Sequence, residues 1–175
     1  AVLCRQGGGN LLAAHQEIQK LALLYPAGEL TAGQVESAVL NVARYDVFKL
    51  SESVLSGRAG RVQRMLDGLR AEGEAEVLVH YTLAEDIRAL KRVKDAVVAG
   101  RPLPMALREQ GVWGPRERLF ERVIPRLASH ELAGLLQAAH RVDGIVKGLK
   151  RPDWPTDNWQ ALQRLAMMVC SLCRP

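Results

Sequence analysis

Residues 7–21 read GGGNLLAAHQEIQKL: three glycines run into an apolar, periodic segment. A glycine loop that opens a helix is a common way to hold a phosphate, so this stretch separates a nucleotide-binding α/β fold from a helical one. A phosphate-gripping loop of the G-x-x-x-x-G-K-S/T type needs a lysine and a hydroxyl after the last glycine. Here Asn10, Leu11 and Leu12 follow instead. No strand-like segment precedes the glycines, and no βαβ pattern surrounds them. The glycines read as a corner between two helices, with Asn10 as the N-cap of the second.

Outward from that corner the pattern stays helical. Leu11, Leu12, Ala14, Ile18, Leu21, Ala22 and Tyr25 recur at helical spacing, and Pro26 and Gly28 stop the run. Thr31 with Gln34 reads as a capping box for a helix carrying Val35, Ala38, Val39 and Val42. The pattern breaks over residues 43–46, and a domain boundary is expected there. Further helices follow over about 46–56, 58–72 and 76–99, closed by Gly57, Gly73 and Gly100. A short helix with a turn at Gly111 comes next. Pro115 opens another helix, and Pro125 inside its pattern predicts a kink or an early end. Ser129 is expected to cap a long helix carrying Leu132, Leu135, Leu136, Ala139, Val142, Val146 and Leu149. Asp157 is expected to cap the last one. Hydrophobic residues make up 48% of the 175-residue chain and aromatics only 5%, and strand-like alternation is hard to find. The fold class is all-α: a compact bundle of unequal helices, with no fixed-period repeat.

The composition bounds the chemistry. Twenty-four lysines and arginines face 19 acids, for a net charge of +5. That balance fits either ordinary solubility or a nucleic-acid neighbour. No apolar run approaches the roughly 18 residues that cross a bilayer, and no membrane role is expected. Cys170 and Cys173 share a helix face and read as small buried apolar residues, which suits the cytoplasm. His15, His80, His130 and His140 form no zinc-binding or nucleophile–base spacing and are expected at the helix surface or its boundary. No catalytic, cofactor-binding or metal-binding residue is identified. Basic clusters occur at Lys91, Arg92 and Lys94, at Arg116, Arg118, Arg122 and Arg126, and at Lys147, Lys150 and Arg151. Each fits a solvated face or a contact with phosphates or acidic neighbours. Aromatics are not interleaved with them, so any DNA contact is nonspecific and salt-dependent. Trp113, Trp154 and Trp159 fit interface anchors and local core plugs equally. The candidates for a subunit interface or DNA contact are Trp113, Arg116, Arg118, Arg122, Lys91 and Arg92.

Residues 9–26, GNLLAAHQEIQKLALLYP, followed by LTAGQVESAV at 30–39, resemble the delta subunit of the bacterial DNA polymerase III clamp loader. VWG at 112–114 with Arg116, and the leucine-rich last helix ending in cysteine, fit the same family. One departure is Gly8, where the family often carries an acid. The resemblance implies an AAA+ architecture of which this chain is a fragment. Residues 1–43 would be the end of the helical lid and 44–175 the helical collar domain, without the N-terminal domain that grips the sliding clamp. In the family's ATP-hydrolysing motors, the helix after the glycine corner carries a phosphate-sensing arginine. Leu12 stands at that position here, and leucine neither donates a hydrogen bond nor offsets phosphate charge. The resemblance therefore implies a non-hydrolysing subunit with no affinity for ATP. It implies a collar that joins a pentameric loader beside a motor subunit, with the delta-prime subunit as a further candidate neighbour, in a cytoplasmic replisome. The resemblance further implies a parent holoenzyme that is a DNA-directed DNA polymerase, a nucleotidyltransferase. The alternative reading is a stand-alone basic helical module that binds nucleic acid.

Overall fold

The computed structural model describes residues 47 and 49–174. The glycine corner, Leu12, the Thr31 capping box, His15 and the expected boundary at 43–46 lie outside the described residues. Those described are all-helical. α1 covers residues 49–55. It is followed by α2 (Ala59–Ala71), α3 (Glu76–Val98), α4 (Leu103–Glu109), α5 (Pro115–Val123), a 3-10 turn (Ile124–Arg126), α6 (Ser129–Val146) and α7 (Asn158–Leu172). α3 is central: it packs on α6, α7, α4 and the 3-10 turn, while α7 also packs on α6 and α2.

Periodicity explains the core. Val79, Leu83, Ile87, Leu90 and Val93 fall three or four residues apart and bury one face of α3. Leu132, Leu135, Ala139 and Val142 do the same on α6, and Leu162, Leu165 and Val169 on α7. Phe120 is fully enclosed; a ring that size contributes about 3 kcal/mol by leaving water.

The helix ends follow local chemistry. Five of the described helices close on the same paired backbone bonds around a glycine at 57, 73, 100, 111 or 148. In α6, Gly148 N–H donates to Ile145 O at 2.8 Å and Leu149 N–H donates to Gly144 O at 2.9 Å. That turn carries Leu149 off the apolar stripe: it is 57% exposed, contrary to its expected core position. α5 stops at Val123, as Pro125 predicts, and Lys94 Nζ donates to Ile124 O at 3.1 Å across the turn. The start of α6 differs from expectation by one residue. Ala128 holds the cap position, and Glu131 Oε2 accepts from its N–H at 2.7 Å. Alanine has no side-chain acceptor, so only this half of the box exists.

Asp157 does cap α7: its Oδ1 accepts from Gln160 N–H at 2.9 Å. It also reaches Arg70 at 3.4 Å, an exposed pair of little weight. Asp157→Ala is expected to lower stability by about 1 kcal/mol, and Asp157→Asn by much less. A urea titration of both variants measures this; equal losses would move the effect from the cap to the charge.

Candidate functional site

The candidate residues lie on α3, on the α4–α5 turn and on α5. Arg92 Nε donates to Gln110 Oε1 at 2.8 Å, joining the outer face of α3 to the end of α4. Glu85 sits between Arg88 at 2.7 Å and Arg92 at 3.8 Å. The next residues, Gly111 to Gly114, form a tight turn with positive φ at both glycines. Trp113 projects from this turn with 64% of its surface exposed, its indole Nε1 3.8 Å from the place a Gly111 Cβ would occupy. Arg92, through Gln110, thus ties α3 to the turn that carries Trp113. Lys91 is tied to Asp95 one helical turn on, at 2.5 Å. Arg118 is exposed and has no hydrogen-bond or ion-pair partner among the described residues.

Arg116 and Arg122 each make a contact within the fold, although Arg122 stays exposed. Arg116 Nη2 donates to Asp86 Oδ1, and its guanidinium lies 5.3 Å from the Phe120 ring centroid. Ser51 Oγ donates to the other Asp86 oxygen at 2.5 Å, so one carboxylate joins α1, α3 and α5. Burial pushes the Asp86 carboxyl up from its ordinary value; Arg116 and Ser51 pull it back down only in part. Arg122 Nη2 donates to Leu55 O at 2.9 Å, closing the last turn of α1. These two arginines position the site's elements.

The tryptophans divide. Trp154 is buried under the Arg164 guanidinium, 4.4 Å from its ring centroid, and plugs the loop before α7. Trp159 is half-buried against the core. Only Trp113 stands outward. The other exposed large apolar side chains among the described residues are Val77, Tyr81, Val98, Met105 and Leu149. Val77 and Tyr81 rim a shallow groove of about 390 Å³ between α3 and α6.

Sequence reasoning missed two polar groups. His80 is buried rather than at the surface: its Nε2 lies 2.9 Å from Ala139 O, so that nitrogen carries the proton, and Nδ1 faces Asp143 at 3.7 Å. Asp143 is held below the usual carboxylate range, first by its hydrogen bond from Lys147. Asp86 is the other. Both fall within the apolar stripe of α3, three residues from Leu83 on either side, and that spacing is the signal that marks them. Cys170 and Cys173 are buried, as expected. Burial pushes the Cys173 thiol up to about 12, so it is not a thiolate at neutral pH. Among the described residues no three His, Cys, Asp or Glu side chains converge as metal ligands. No described helix is long and apolar enough to cross a membrane.

This arrangement is a helical scaffold with an arginine-flanked aromatic turn and a buried ion pair that fixes that turn's following helix. Residues 47–175 match the family described as "Processivity clamp loader gamma complex DNA pol III C-term", and the chain belongs to that family. Its likeness within the family is to the delta subunit. It is 31% identical over 169 residues to DNA polymerase III subunit delta of Escherichia coli, covering 97% of this chain and 48% of that protein. It is 28% identical over 176 residues to the same subunit of Haemophilus influenzae, covering 96% and 50%. The chain therefore spans about half the length of the curated relatives it matches. The Bacillus subtilis DNA clamp loader delta protein (YqeN) shares the fold, with a TM-score of 0.56 and 18% identity over 97% of this chain and 49% of that one.

Proposed function

We propose that residues 44–175 are the collar of a clamp-loader delta subunit and that residues 1–43 are the end of its lid. The collar's task is to hold the loader together. It packs against neighbouring subunits, first an ATP-hydrolysing motor and, across the gap, delta-prime, while the clamp is gripped by an N-terminal domain. The observation that carries this reading is the family match beginning at residue 47, next to the break in pattern at 43–46. Leu12 in place of a sensor arginine supports a subunit that neither binds nor hydrolyses ATP; calorimetry with ATP tests that directly. The setting is the bacterial cytoplasm, at the replisome. Such an interface buries on the order of 800 Å² per partner.

Trp113 is the exposed side chain that best fits a subunit contact in this reading. A rigid exposed aromatic between arginines is the usual anchor of a protein contact. Trp113→Ala is expected to leave folding stability within about 0.5 kcal/mol, because little of the ring is buried. It is expected to weaken binding to the motor subunit at least ten-fold, the loss of a hot spot of about 2 kcal/mol. Gel filtration with purified motor subunit, without DNA, is the test. Co-elution supports the collar; retention only when DNA is added favours a stand-alone nucleic-acid module. An unchanged affinity for Trp113→Ala removes Trp113 from the interface.

A further inference from the structure

Arg116 makes one hydrogen bond to Asp86 where its shape allows two. Its Nη2 donates to Asp86 Oδ1, while its Nε–H is buried and has no hydrogen-bond partner among the described residues. A buried donor without an acceptor is costly, and folded proteins keep few of them. Nε and Nη2 lie along one edge of the guanidinium, and that edge matches the two oxygens of a carboxylate. The second oxygen is close by but engaged elsewhere. Asp86 Oδ2 accepts from Ser51 Oγ at 2.5 Å. Ser51 and Asp86 are both buried, so the carboxylate has little water to turn to. The oxygen that would satisfy Arg116 Nε is held by α1.

A small motion separates this arrangement from the other. The far end of α1 is pinned: Arg122 Nη2 donates to Leu55 O at 2.9 Å, and a Cβ on Gly57 would sit 2.7 Å from Arg174 Cα. Ser51 lies one helical turn before Leu55, toward the side from which the chain enters α1. A tilt of α1 about its pinned end therefore displaces Ser51. Packed helices shift by about 1–2 Å in conformational changes, and a displacement of about 1 Å takes a 2.5 Å hydrogen bond out of range. On the other side, Arg116 has room to respond, with 39% of its side chain exposed. The start of α5 has no side-chain cap, and Gly111 and Gly114, both at positive φ, flank Val112 and Trp113. Arg116 is thus the polar anchor of that helix start, three residues after Trp113.

We propose that Ser51, Asp86 and Arg116 form a two-position latch between α1 and the turn that carries Trp113. With Ser51 in reach, Asp86 divides its oxygens between α1 and α5. When α1 tilts away, Asp86 Oδ2 turns to Arg116 Nε, the contact becomes bidentate, and the start of α5 is drawn toward α3. Only hydrogen bonds change, and no proton is transferred. The latch stands on this side-chain geometry alone. That the pull on α1 comes from a lid over residues 1–43 rests on the reading proposed above.

The full chain, labelled with nitrogen-15 at arginine and tryptophan, is compared by NMR with S51A, which releases Asp86 Oδ2 without the need to move α1. S51A is expected to move the Arg116 Nε–H signal downfield, as a new hydrogen bond does. It is also expected to shift the indole N–H signal of Trp113, which is assigned by its loss in W113F. Lysine has no second donor on the same edge, so in an R116K background the Ser51 change is expected to leave the Trp113 signal in place. D157A, which removes the cap of α7, is expected to move neither signal. Circular dichroism checks that each variant folds. S51C, of similar size but with a weaker donor, replaces S51A with the same expectations if S51A does not fold. An unmoved Arg116 Nε–H signal overturns the latch. So does a Trp113 shift that persists in S51A/R116K or appears equally in D157A. No partner subunit is added, so failure here is distinguishable from failure of the collar reading.

Discussion

Arg116→Met is expected to destabilise the domain by about 2–4 kcal/mol at neutral pH, with the deficit shrinking as the pH falls. The side chain of Asp86 is only 4% exposed, and Arg116 is its one cationic partner among the described residues. Removing the guanidinium leaves a buried carboxylate with only Ser51 to stabilise its charge. Breaking a buried pair in this way costs about 3–5 kcal/mol in general; the Arg116 side chain is 39% exposed, which places the loss toward the lower end.

The pH dependence follows from the sign of the shift. Asp86 is already raised from its ordinary value of 3.8 by burial, and losing Arg116 raises it further. A carboxyl raised in the folded state binds its proton more tightly there than in the unfolded chain. Its penalty is complete above the folded pKa and vanishes below the unfolded one. Chemical denaturation of wild type and Arg116→Met at pH 7 and pH 4.5 measures this. A deficit that grows on acidification would contradict a buried, charge-stranded Asp86. Replacing both partners, as D86L/R116M, is expected to recover most of the loss, because an apolar pair of similar volume needs no counter-charge.

Gly57→Ala is expected to lose about 2–3 kcal/mol. A left-handed backbone costs a non-glycine residue about 1–2 kcal/mol. At Gly57 the added methyl also runs into three backbone atoms of one peptide unit: Arg174 Cα at 2.7 Å, Arg174 N at 3.0 Å and Cys173 O at 3.1 Å. Backbone cannot swing aside as a long side chain does, so the chain end must shift and loosen the last turn of α7. Gly100→Ala is the control. Gly100 is also left-handed, at φ +91, but has nothing within 4 Å of the added carbon. Its expected loss is the conformational part alone. Thermal melts of the two variants test this, and equal losses would show that crowding by Arg174 carries no weight.

The candidate residues could be named from the sequence, but their settings could not. Trp113 and Trp154 both sit near loops and read alike in sequence, yet one is exposed and the other lies under Arg164. Arg116 and Arg118 belong to one cluster, but Arg116 turns toward Asp86 thirty residues away while Arg118 faces solvent. Arg122 meets a carbonyl 67 residues away. Nothing within a helical turn of these residues specifies such partners.

The sequence by itself determined the helical class, most helix limits and most of the core. A glycine after an apolar run, an aspartate before one, a proline within one and a spacing of three to four all act through bonds spanning at most five residues. Tertiary structure alone decided which arginines are spent inside, that Asp86 and His80 are buried, and that the α1–α2 turn meets the chain end. Those outcomes depend on which helix faces come together. A guanidinium's free energy differs by kilocalories between water and a buried carboxylate, so the same residue type serves as scaffold on one face and as contact surface on the next.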